Sequence, residues 1–224
     1  MTIAIDGIDG AGKGTQCRLL SRYFEASGRR VHIVSFPVYS SFFGMMISDY
    51  LNGSYGSLYA INPKLTALLY AMDRRFFFEN NSFNSGDIII FDRYVLSNMA
   101  HQGVKFEPEL RESFFSWIKE LEFNINKIPR PDISFVLDID AKISARNVAK
   151  KEKRAYTDKT HDIHEGDSVY LANTRTLFIE LAAQTGAHIV YCSKDEVLRS
   201  EEEIAEEINF KISEYCKSFK SDLV

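Results

Sequence analysis

The sequence predicts a three-layer α/β/α fold in which helices cover both faces of a five-stranded parallel sheet. Two observations predict it: five short apolar runs, and amphipathic segments that are long enough to be crossover helices. Continuous runs rich in Ile and Val are typical of strands covered on both faces, as in a parallel sheet. The predicted strands are residues 2–6, 31–36, 88–92, 133–138 and 188–192.

The segments around these strands have the periodicity of helices. Residues 15–27 place Leu20 and Phe24 on one stripe and are followed by Gly28, a favourable C-terminal stop. The other predicted helices are residues 65–80, 108–125, 168–185 and 201–219. Strands that alternate with helices imply right-handed crossovers. No Pro- or Gly-rich linker divides the chain, so we expect a single domain over 1–224, with polar, mobile excursions at 52–61 and 150–164.

The composition restricts the class of function and the compartment. A net charge of −4 argues against a nucleic-acid surface, which needs a clustered basic face, but it leaves a local pocket for a small anion open. Cys17, Cys192 and Cys216 show no CxxC spacing, so we expect reduced thiols in a cytoplasmic protein. No apolar stretch approaches about 18 residues, and no signal peptide is evident, so we expect no membrane association.

The strongest local pattern is a glycine-rich segment between the first strand and the first helix. Glycines there let backbone N–H groups converge on phosphate oxygens, and the helix N-terminus adds its positive dipole end. The segment is typical of a phosphate-binding P-loop, and it predicts a P-loop NTPase fold that binds ATP. Its residues are Gly7, Ile8, Asp9, Gly10, Ala11, Gly12, Lys13, Gly14 and Thr15.

One position departs from the usual P-loop pattern. Gly14 stands where a Ser or Thr hydroxyl normally ligates Mg²⁺, and Thr15 lies one position late. We therefore expect carboxylates and water to hold the Mg²⁺. The candidates are Asp9, Asp92, which ends an apolar strand, and Glu165.

Four further segments, together with the P-loop, resemble thymidylate kinases, which are P-loop nucleoside monophosphate kinases. They are Phe-Pro-Val-Tyr at 36–39, Tyr-Ala-Met-Asp-Arg at 70–74, Asp-Arg-Tyr-Val-Leu-Ser-Asn at 92–98, and Pro-Arg-Pro-Asp at 129–132. The order and spacing match from residue 2 to about residue 181. A P-loop alone would fit many families, whereas the Asp-Arg-Tyr element is fairly specific.

The resemblance implies a dTMP site with individual roles. Asp9 would hold the sugar 3′-hydroxyl or a metal-bound water, and Arg93 with Tyr39 would clamp the acceptor 5′-phosphate. An aromatic face would stack on thymine, and polar side chains would hydrogen-bond its edge. The implied base and sugar contacts are Phe36, Tyr70, Arg74, Ser97, Asn98, His101 and His164. His101 and His164 stand where aromatic residues are common in the family.

A basic run after the fourth strand predicts a mobile lid at about 146–165. It contains Arg146, Lys150, Lys151, Lys153 and Arg154. One thymidylate kinase subgroup has an Arg in the P-loop, and another has Gly there with basic residues in the lid; Gly10 and this run resemble the second. Arg146 and Arg154 are the candidate catalytic cations because of guanidinium geometry. A solvated helix face remains the alternative.

The implied reaction transfers the γ-phosphoryl group of ATP to dTMP, with Mg²⁺, giving dTDP and ADP for dTTP biosynthesis. Lys13, Arg93 and the lid would align the reactants and neutralise charge.

A deoxynucleoside kinase would need a carboxylate near strand two and Glu-Arg-Ser after strand three. A nucleotide-hydrolysing switch would show Asn-Lys-x-Asp, which is absent. The family is usually homodimeric.

Overall fold

A five-stranded parallel sheet forms the centre of the protein in a computed structural model, which describes residues 1–149, 168–194 and 197–221. The strand order is β2-β3-β1-β4-β5. The register sets Ile5 of β1 beside Asp92 of β3 and Phe135 of β4. The strands are β1 (Thr2–Asp6), β2 (Val31–Ser35), β3 (Ile88–Asp92), β4 (Ile133–Asp138) and β5 (His188–Tyr191). The predicted parallel α/β sheet is confirmed, and two strands end one residue earlier than predicted.

Helices cover both faces of the sheet. One face packs against α1 and α8, and the other packs against α7, which belongs to a layer in which α4 contacts α3, α5 and α7. The helices are α1 (Lys13–Ala26), α2 (Phe42–Leu51), α3 (Pro63–Asn80), α4 (Val95–Gly103), α5 (Pro108–Lys119), α6 (Ala141–Ala149), α7 (Ser168–Thr185) and α8 (Glu201–Ser221). A π-helical segment, Glu120–Ile125, continues α5. Two short strands, β6 (Ser193–Lys194) and β7 (Val197–Leu198), pair antiparallel in a separate two-stranded sheet. None of the helices in the described ranges is both long and apolar enough to cross a bilayer.

Three of these helices, α2, α4 and α6, were not predicted. All nine residues of α4 are buried, so its polar residues face the interior of the protein and not solvent, as they would in an ordinary amphipathic helix. α2 begins at a local cap, because the Ser41 hydroxyl accepts a hydrogen bond from the Gly44 N–H at 2.8 Å. The predicted helix at 108–125 changes from α to π hydrogen bonding at Glu120.

The polar segment 52–61 contains neither helix nor strand. The prediction that it lies outside the core was partly wrong. Leu58 is buried in a small cluster with Tyr170 and Leu171 of α7. The second excursion, 150–164, lies outside the described residues.

The side chains of the central strands are buried on both faces of the sheet. Ile3, Ile5, Ile90, Phe91 and Phe135 are each 0% exposed. Burying such side chains contributes about 1.5–3 kcal/mol each, which makes the sheet a rigid platform. In an open parallel sheet, ligands bind beyond the carboxyl ends of the strands. We therefore expect the ligand site to lie beside the residues that follow β1, β2 and β3.

Candidate active site

A cavity of about 420 Å³ opens at the carboxyl ends of β1, β2 and β3. The residues after β1 and β3, the segment after β2, and side chains of α3 and α4 form its walls. Most of the predicted site residues meet there, although they come from four separate stretches of the sequence. Those that line it are Asp9, Gly10, Gly12, Lys13, Gly14, Phe36, Tyr39, Tyr70, Arg74, Asp92, Arg93, Ser97, Asn98 and His101.

The other predicted residues are placed differently. Gly7, Ile8, Ala11 and Thr15 belong to the P-loop segment but are not among the lining residues. Arg146 is exposed on α6 and is also not among them. The predictions for Arg154, His164 and Glu165 fall outside the described residues.

The phosphate loop has the backbone shape that its glycines predict. Gly12 adopts a left-handed conformation, with φ of 86°, directly before α1 begins at Lys13. The Lys13 side chain is buried, and its Nζ donates a hydrogen bond to the Ile8 carbonyl at 2.8 Å. The lysine therefore folds back across its own loop and carries its charge at the cavity wall.

Gly10 brings the phosphate loop into direct contact with α6. A Cβ at this position would lie 2.5 Å from the Ser144 carbonyl oxygen, so no larger residue fits without moving the helix. Two hydrogen bonds reinforce the contact: the Ser144 hydroxyl donates to the Asp9 carbonyl, and Asn147 Nδ2 donates to the Gly10 carbonyl at 3.0 Å. A side chain such as arginine at position 10 is incompatible with this packing.

Arg93 follows β3 in a left-handed backbone conformation, with φ of 69°, which is uncommon for a residue other than glycine. The buried Asp6 carboxylate holds the turn, because its Oδ1 accepts from the Tyr94 N–H at 2.8 Å, the Ser97 N–H at 3.0 Å and the Ser97 hydroxyl. Burial raises the pKa of Asp6, and these hydrogen bonds oppose that shift. Sequence reasoning missed Asp6 because no motif includes it and its partners lie 88 and 91 positions away in sequence.

The Arg93 guanidinium makes contacts on two sides of the cavity. It pairs with Asp9, donates to the Gly7 carbonyl at 3.3 Å, and lies 3.4 Å from His101 Nε2. Burial, and then the neighbouring Arg93 charge, lower the pKa of His101 to about 3, so its imidazole is neutral and can accept from Arg93. The hydroxyl of Tyr170 lies 3.0 Å from His101 Nδ1. This arrangement fixes the orientation of both side chains.

A buried ion pair borders the opposite part of the cavity. Arg74 is 2% exposed and binds the carboxylate of Glu122 through Nε, at 3.1 Å, and through Nη2. Asn98 Nδ2 donates to Glu122 Oε1 at 3.2 Å and to the Ala67 carbonyl at 3.0 Å. Asn98 Oδ1 has no hydrogen-bond partner. Glu122 was not predicted, since it lies in the π-helical segment, outside every motif.

Asp73 shapes the aromatic segment after β2. Its carboxylate accepts from the Val38 N–H at 2.9 Å and from the Ser41 hydroxyl at 2.6 Å. Gly44 completes the packing, because a Cβ there would lie 1.9 Å from the Val38 carbonyl oxygen. These contacts place Phe36 and Tyr39 at the cavity wall.

The donor set at the phosphate loop fits a Mg²⁺ ion held mainly through water. The Asp92 carboxylate lies 3.2 Å from the Cβ that a serine or threonine at position 14 would have, so Gly14 leaves room for it. The Thr15 hydroxyl accepts from Arg18 Nη2 at 3.1 Å. Within the described ranges no group of three or more Asp, Glu, His or Cys side chains converges on one possible metal position.

Several lining residues were missed by the sequence analysis. They are Arg18, Ser35, Pro37, Leu51, Tyr94 and Gln102. Arg18 lies four positions after Gly14 on α1, and Gln102 lies four after Asn98 on α4, so helical periodicity could have indicated both.

The comparisons with known proteins agree with this geometry. The family model for thymidylate kinase matches residues 5–207. A thymidylate kinase from Mycobacterium tuberculosis is 32% identical over 189 residues, which cover 82% of this chain and 86% of that protein. A thymidylate kinase from Bifidobacterium longum is 30% identical over 186 residues, covering 81% and 83%. A solved structure of thymidylate kinase from Candida albicans has the same fold, with a TM-score of 0.69 at 23% identity over 96% of this chain and 92% of that one. The chain therefore belongs to the thymidylate kinase family.

Proposed function

We propose that this protein transfers the γ-phosphoryl group of ATP to dTMP, giving dTDP and ADP, as a step towards dTTP. One observation carries the proposal: Lys13 of the phosphate loop and Arg93 after β3 line the same cavity. A transfer between two phosphate groups needs a cation for each of them within one site. The family membership supports the choice of nucleotides.

The donor triphosphate would bind at the N-terminus of α1. Backbone N–H groups around Gly12 and the positive end of the helix dipole favour phosphate oxygens there. Lys13 and Arg18 add two full charges at the same wall. Asp92 would hold the hydrated Mg²⁺, with Asp9 as a second candidate and Glu165 as a sequence-based one. The ion, when bound, would neutralise charge on the β- and γ-phosphates.

The acceptor would occupy the part of the cavity between α3 and α4. Arg93 and Tyr39 would bind its 5′-phosphate, and Asp9 would hold the sugar 3′-hydroxyl or a metal-bound water. The stacking surface for thymine would come from Phe36 and Tyr70. The further proposed contacts are Arg74, Ser97, Asn98 and His101, with His164 as a sequence-based candidate.

The existing contacts of Arg93 suit a residue that exchanges partners. Its pairing with Asp9 neutralises the guanidinium, and an incoming phosphate can replace that carboxylate as a bidentate acceptor. The acceptor phosphate is already anionic, so no side chain has to remove a proton. Alignment and charge neutralisation by Lys13, Arg93 and a lid cation, Arg146 or Arg154, would then supply the rate enhancement.

We also propose a homodimer that forms through α2 and α3. These two helices pack together and expose five large apolar side chains at helical spacing. The five are Phe42, Met45, Leu65, Leu68 and Phe76.

A cytoplasmic location is proposed as well, because the three cysteines are all free thiols, as is typical of a reducing compartment.

The decisive experiment measures ATP consumption with a panel of acceptors. We expect dTMP to give the highest kcat/KM among dTMP, dUMP, dCMP, dGMP and free thymidine, and Lys13→Met to abolish turnover with every acceptor. A preference for free thymidine would favour a nucleoside kinase. Turnover of ATP that is independent of any acceptor would indicate a hydrolase, and either result would overturn the proposal.

A further inference from the structure

Gln102 presents an unsatisfied hydrogen-bond donor at the cavity. The residue is 0% exposed and lines the cavity, yet its Nε2 has no partner in the structure. An unpaired amide N–H₂ in a buried position costs about 1–3 kcal/mol, so such a group normally meets a ligand or another polar atom. Nothing in the motifs of the sequence assigns a role to this residue.

The other end of the same carboxamide is held by Lys105. Lys105 Nζ donates to Gln102 Oε1 at 2.8 Å and to the Tyr50 hydroxyl at 2.7 Å, and it lies 5.3 Å from the centroid of the Tyr50 ring. A flipped carboxamide would turn its N–H₂ group towards the N–H donors of the amine, which is unfavourable. The lysine therefore sets which end of the Gln102 carboxamide is bound and leaves its N–H₂ group without a partner.

The protonation state of Lys105 does not remove this constraint. Burial lowers the pKa of Lys105 to about 7, so the neutral amine is also present near neutral pH. The neutral amine keeps two N–H donors, and the Tyr50 hydroxyl, 2.7 Å away, can donate to its lone pair. Gln102 Oε1 remains the acceptor in both states.

Asn98, one turn earlier on α4, is oriented in the opposite sense. Its Nδ2 is bound by two acceptors, the Ala67 carbonyl and Glu122, so its unpartnered Oδ1 is the atom that remains for a ligand. Residues at i and i+4 lie on one face of a helix. Two residues of the cavity wall thus each have a buried polar atom without a partner, an acceptor on Asn98 and a donor on Gln102.

We propose that Lys105 is a positioning residue that fixes the Gln102 carboxamide, so that Asn98 and Gln102 together select a base edge of the form H–N–C=O. The inference rests on the proposed function, because it concerns the base of the same acceptor. Thymine and uracil offer N3–H to Asn98 Oδ1 and an adjacent carbonyl oxygen to Gln102 Nε2. Cytosine offers an acceptor at N3 and a donor at N4, so both groups meet the wrong partner.

The experiment compares steady-state kinetics for dTMP and dCMP in five variants with those of the wild-type protein. Gln102→Ala removes the donor, Lys105→Met removes its support, and a double variant combines the two. Gln102→Glu keeps a partner for Lys105 but has no N–H₂ group, which guards against simple loss of folding. Lys217→Met, at an exposed site on α8, makes the same chemical change as Lys105→Met away from the cavity.

We expect Gln102→Ala and Gln102→Glu to raise KM for dTMP about 10–100-fold while kcat stays within about threefold. Lys105→Met should raise KM for dTMP about 5–20-fold and reduce the dTMP-over-dCMP ratio of kcat/KM by about tenfold. The double variant should match Gln102→Ala, because the lysine acts through the glutamine. Lys217→Met should behave as the wild type.

Two results would overturn the positioning role alone. In the first, the wild type phosphorylates dTMP but Lys105→Met is indistinguishable from Lys217→Met. In the second, Lys105→Met lowers activity equally in the presence and absence of Gln102. Absence of dTMP phosphorylation by the wild-type protein would instead refute the proposed function itself.

Discussion

Arg93 and Asp9 form an ion pair that ties the end of β3 to the phosphate loop. The two residues are 84 positions apart, and both line the cavity. Arg93 reaches this position because its left-handed backbone, held by Asp6, turns the side chain away from the direction of the strand. Its environment, and not its charge alone, makes it the strongest candidate for binding the acceptor phosphate.

The first prediction concerns the shape of the cation at position 93. Arg93→Lys keeps the charge but loses the planar fork that binds two phosphate oxygens at once. We expect kcat/KM for dTMP to fall about 10–1,000-fold, corresponding to about 1.4–4 kcal/mol of lost transition-state stabilisation. Arg75→Lys, on the exposed side of α3, is the matched control and should leave the kinetics unchanged. Equal kinetics for both variants would argue against the role of Arg93.

The second prediction concerns the lid cation. An arginine that stabilises the transferring phosphoryl group can contribute about 10³–10⁵ in rate. Replacement of the acting residue, Arg146 or Arg154, by Ala should therefore lower kcat far more than it raises KM for either nucleotide. Arg22→Ala, at an exposed position of α1, serves as the control. A loss confined to KM in both lid variants would contradict the catalytic role.

The third prediction separates backbone strain from packing at Gly10. Gly10 and Gly28 both have φ of +73°, but a Cβ at Gly10 would meet the Ser144 carbonyl at 2.5 Å and one at Gly28 meets nothing within 4 Å. Gly28→Ala should lower the free energy of unfolding by about 1 kcal/mol, the cost of the left-handed conformation. Gly10→Ala should lower it by roughly 1–3 kcal/mol more, because α6 must move. Urea unfolding measures both, and equal losses would contradict the packing argument.

The fourth prediction follows from the buried imidazole of His101. Its pKa is lowered to about 3, whereas the same group titrates near 6.5 in the unfolded chain. Between these values the unfolded chain binds a proton that the folded protein does not, so His101 destabilises the fold as the pH falls. The slope should approach about 1.4 kcal/mol per pH unit below pH 6.

His101→Gln removes this titration and keeps a polar side chain at the site. Urea unfolding at pH 7, 6 and 5 should show that the free energy of unfolding falls less steeply in the variant than in the wild type. If the free energy of unfolding falls equally with pH in the two proteins, His101 must bind its proton as readily in the folded protein as in the unfolded chain, which would contradict the prediction.

The fifth prediction tests the apolar face of α2 and α3. Leu65 is 59% exposed, so a charge there leaves the folded protomer intact but opposes burial in an interface. We expect the wild type to sediment as a dimer and Leu65→Glu to sediment as a monomer at micromolar concentration. Leu110→Glu, at an exposed site on α5 outside this face, is the control. A monomeric wild type would refute the proposed dimer.

Residues at the ends of strands were predictable because their function follows from local chemistry. The P-loop glycines lie directly after an apolar strand and Asp92 ends another, and strand ends of a parallel sheet meet at one edge. Resemblance to a known family added Phe36, Tyr70, Arg74, Arg93 and Asn98, which no local pattern distinguishes from ordinary core or helix residues. Except for Gly7, the structure brings all of these residues to one cavity.

The residues that support the site were not predictable in the same way. Asp6 and Glu122 act through partners 24 to 91 positions away in sequence, and no periodicity records such a pairing. Lys105 contacts Gln102 only three positions away, but its second partner, Tyr50, lies 55 positions away. Asn98 and Gln102 lie four positions apart on α4, so the sequence places them on one face, but only the structure shows that this helix is buried on every side and contributes both residues to the cavity.

The sequence by itself determined the sheet, the phosphate loop and the kinase family, because each depends on a short pattern whose physical meaning is local. Only the tertiary structure decided which buried polar atoms are satisfied and which are left to face the cavity. That distinction depends on long-range contacts, since a carboxamide or a guanidinium takes its orientation from whatever the fold packs against it.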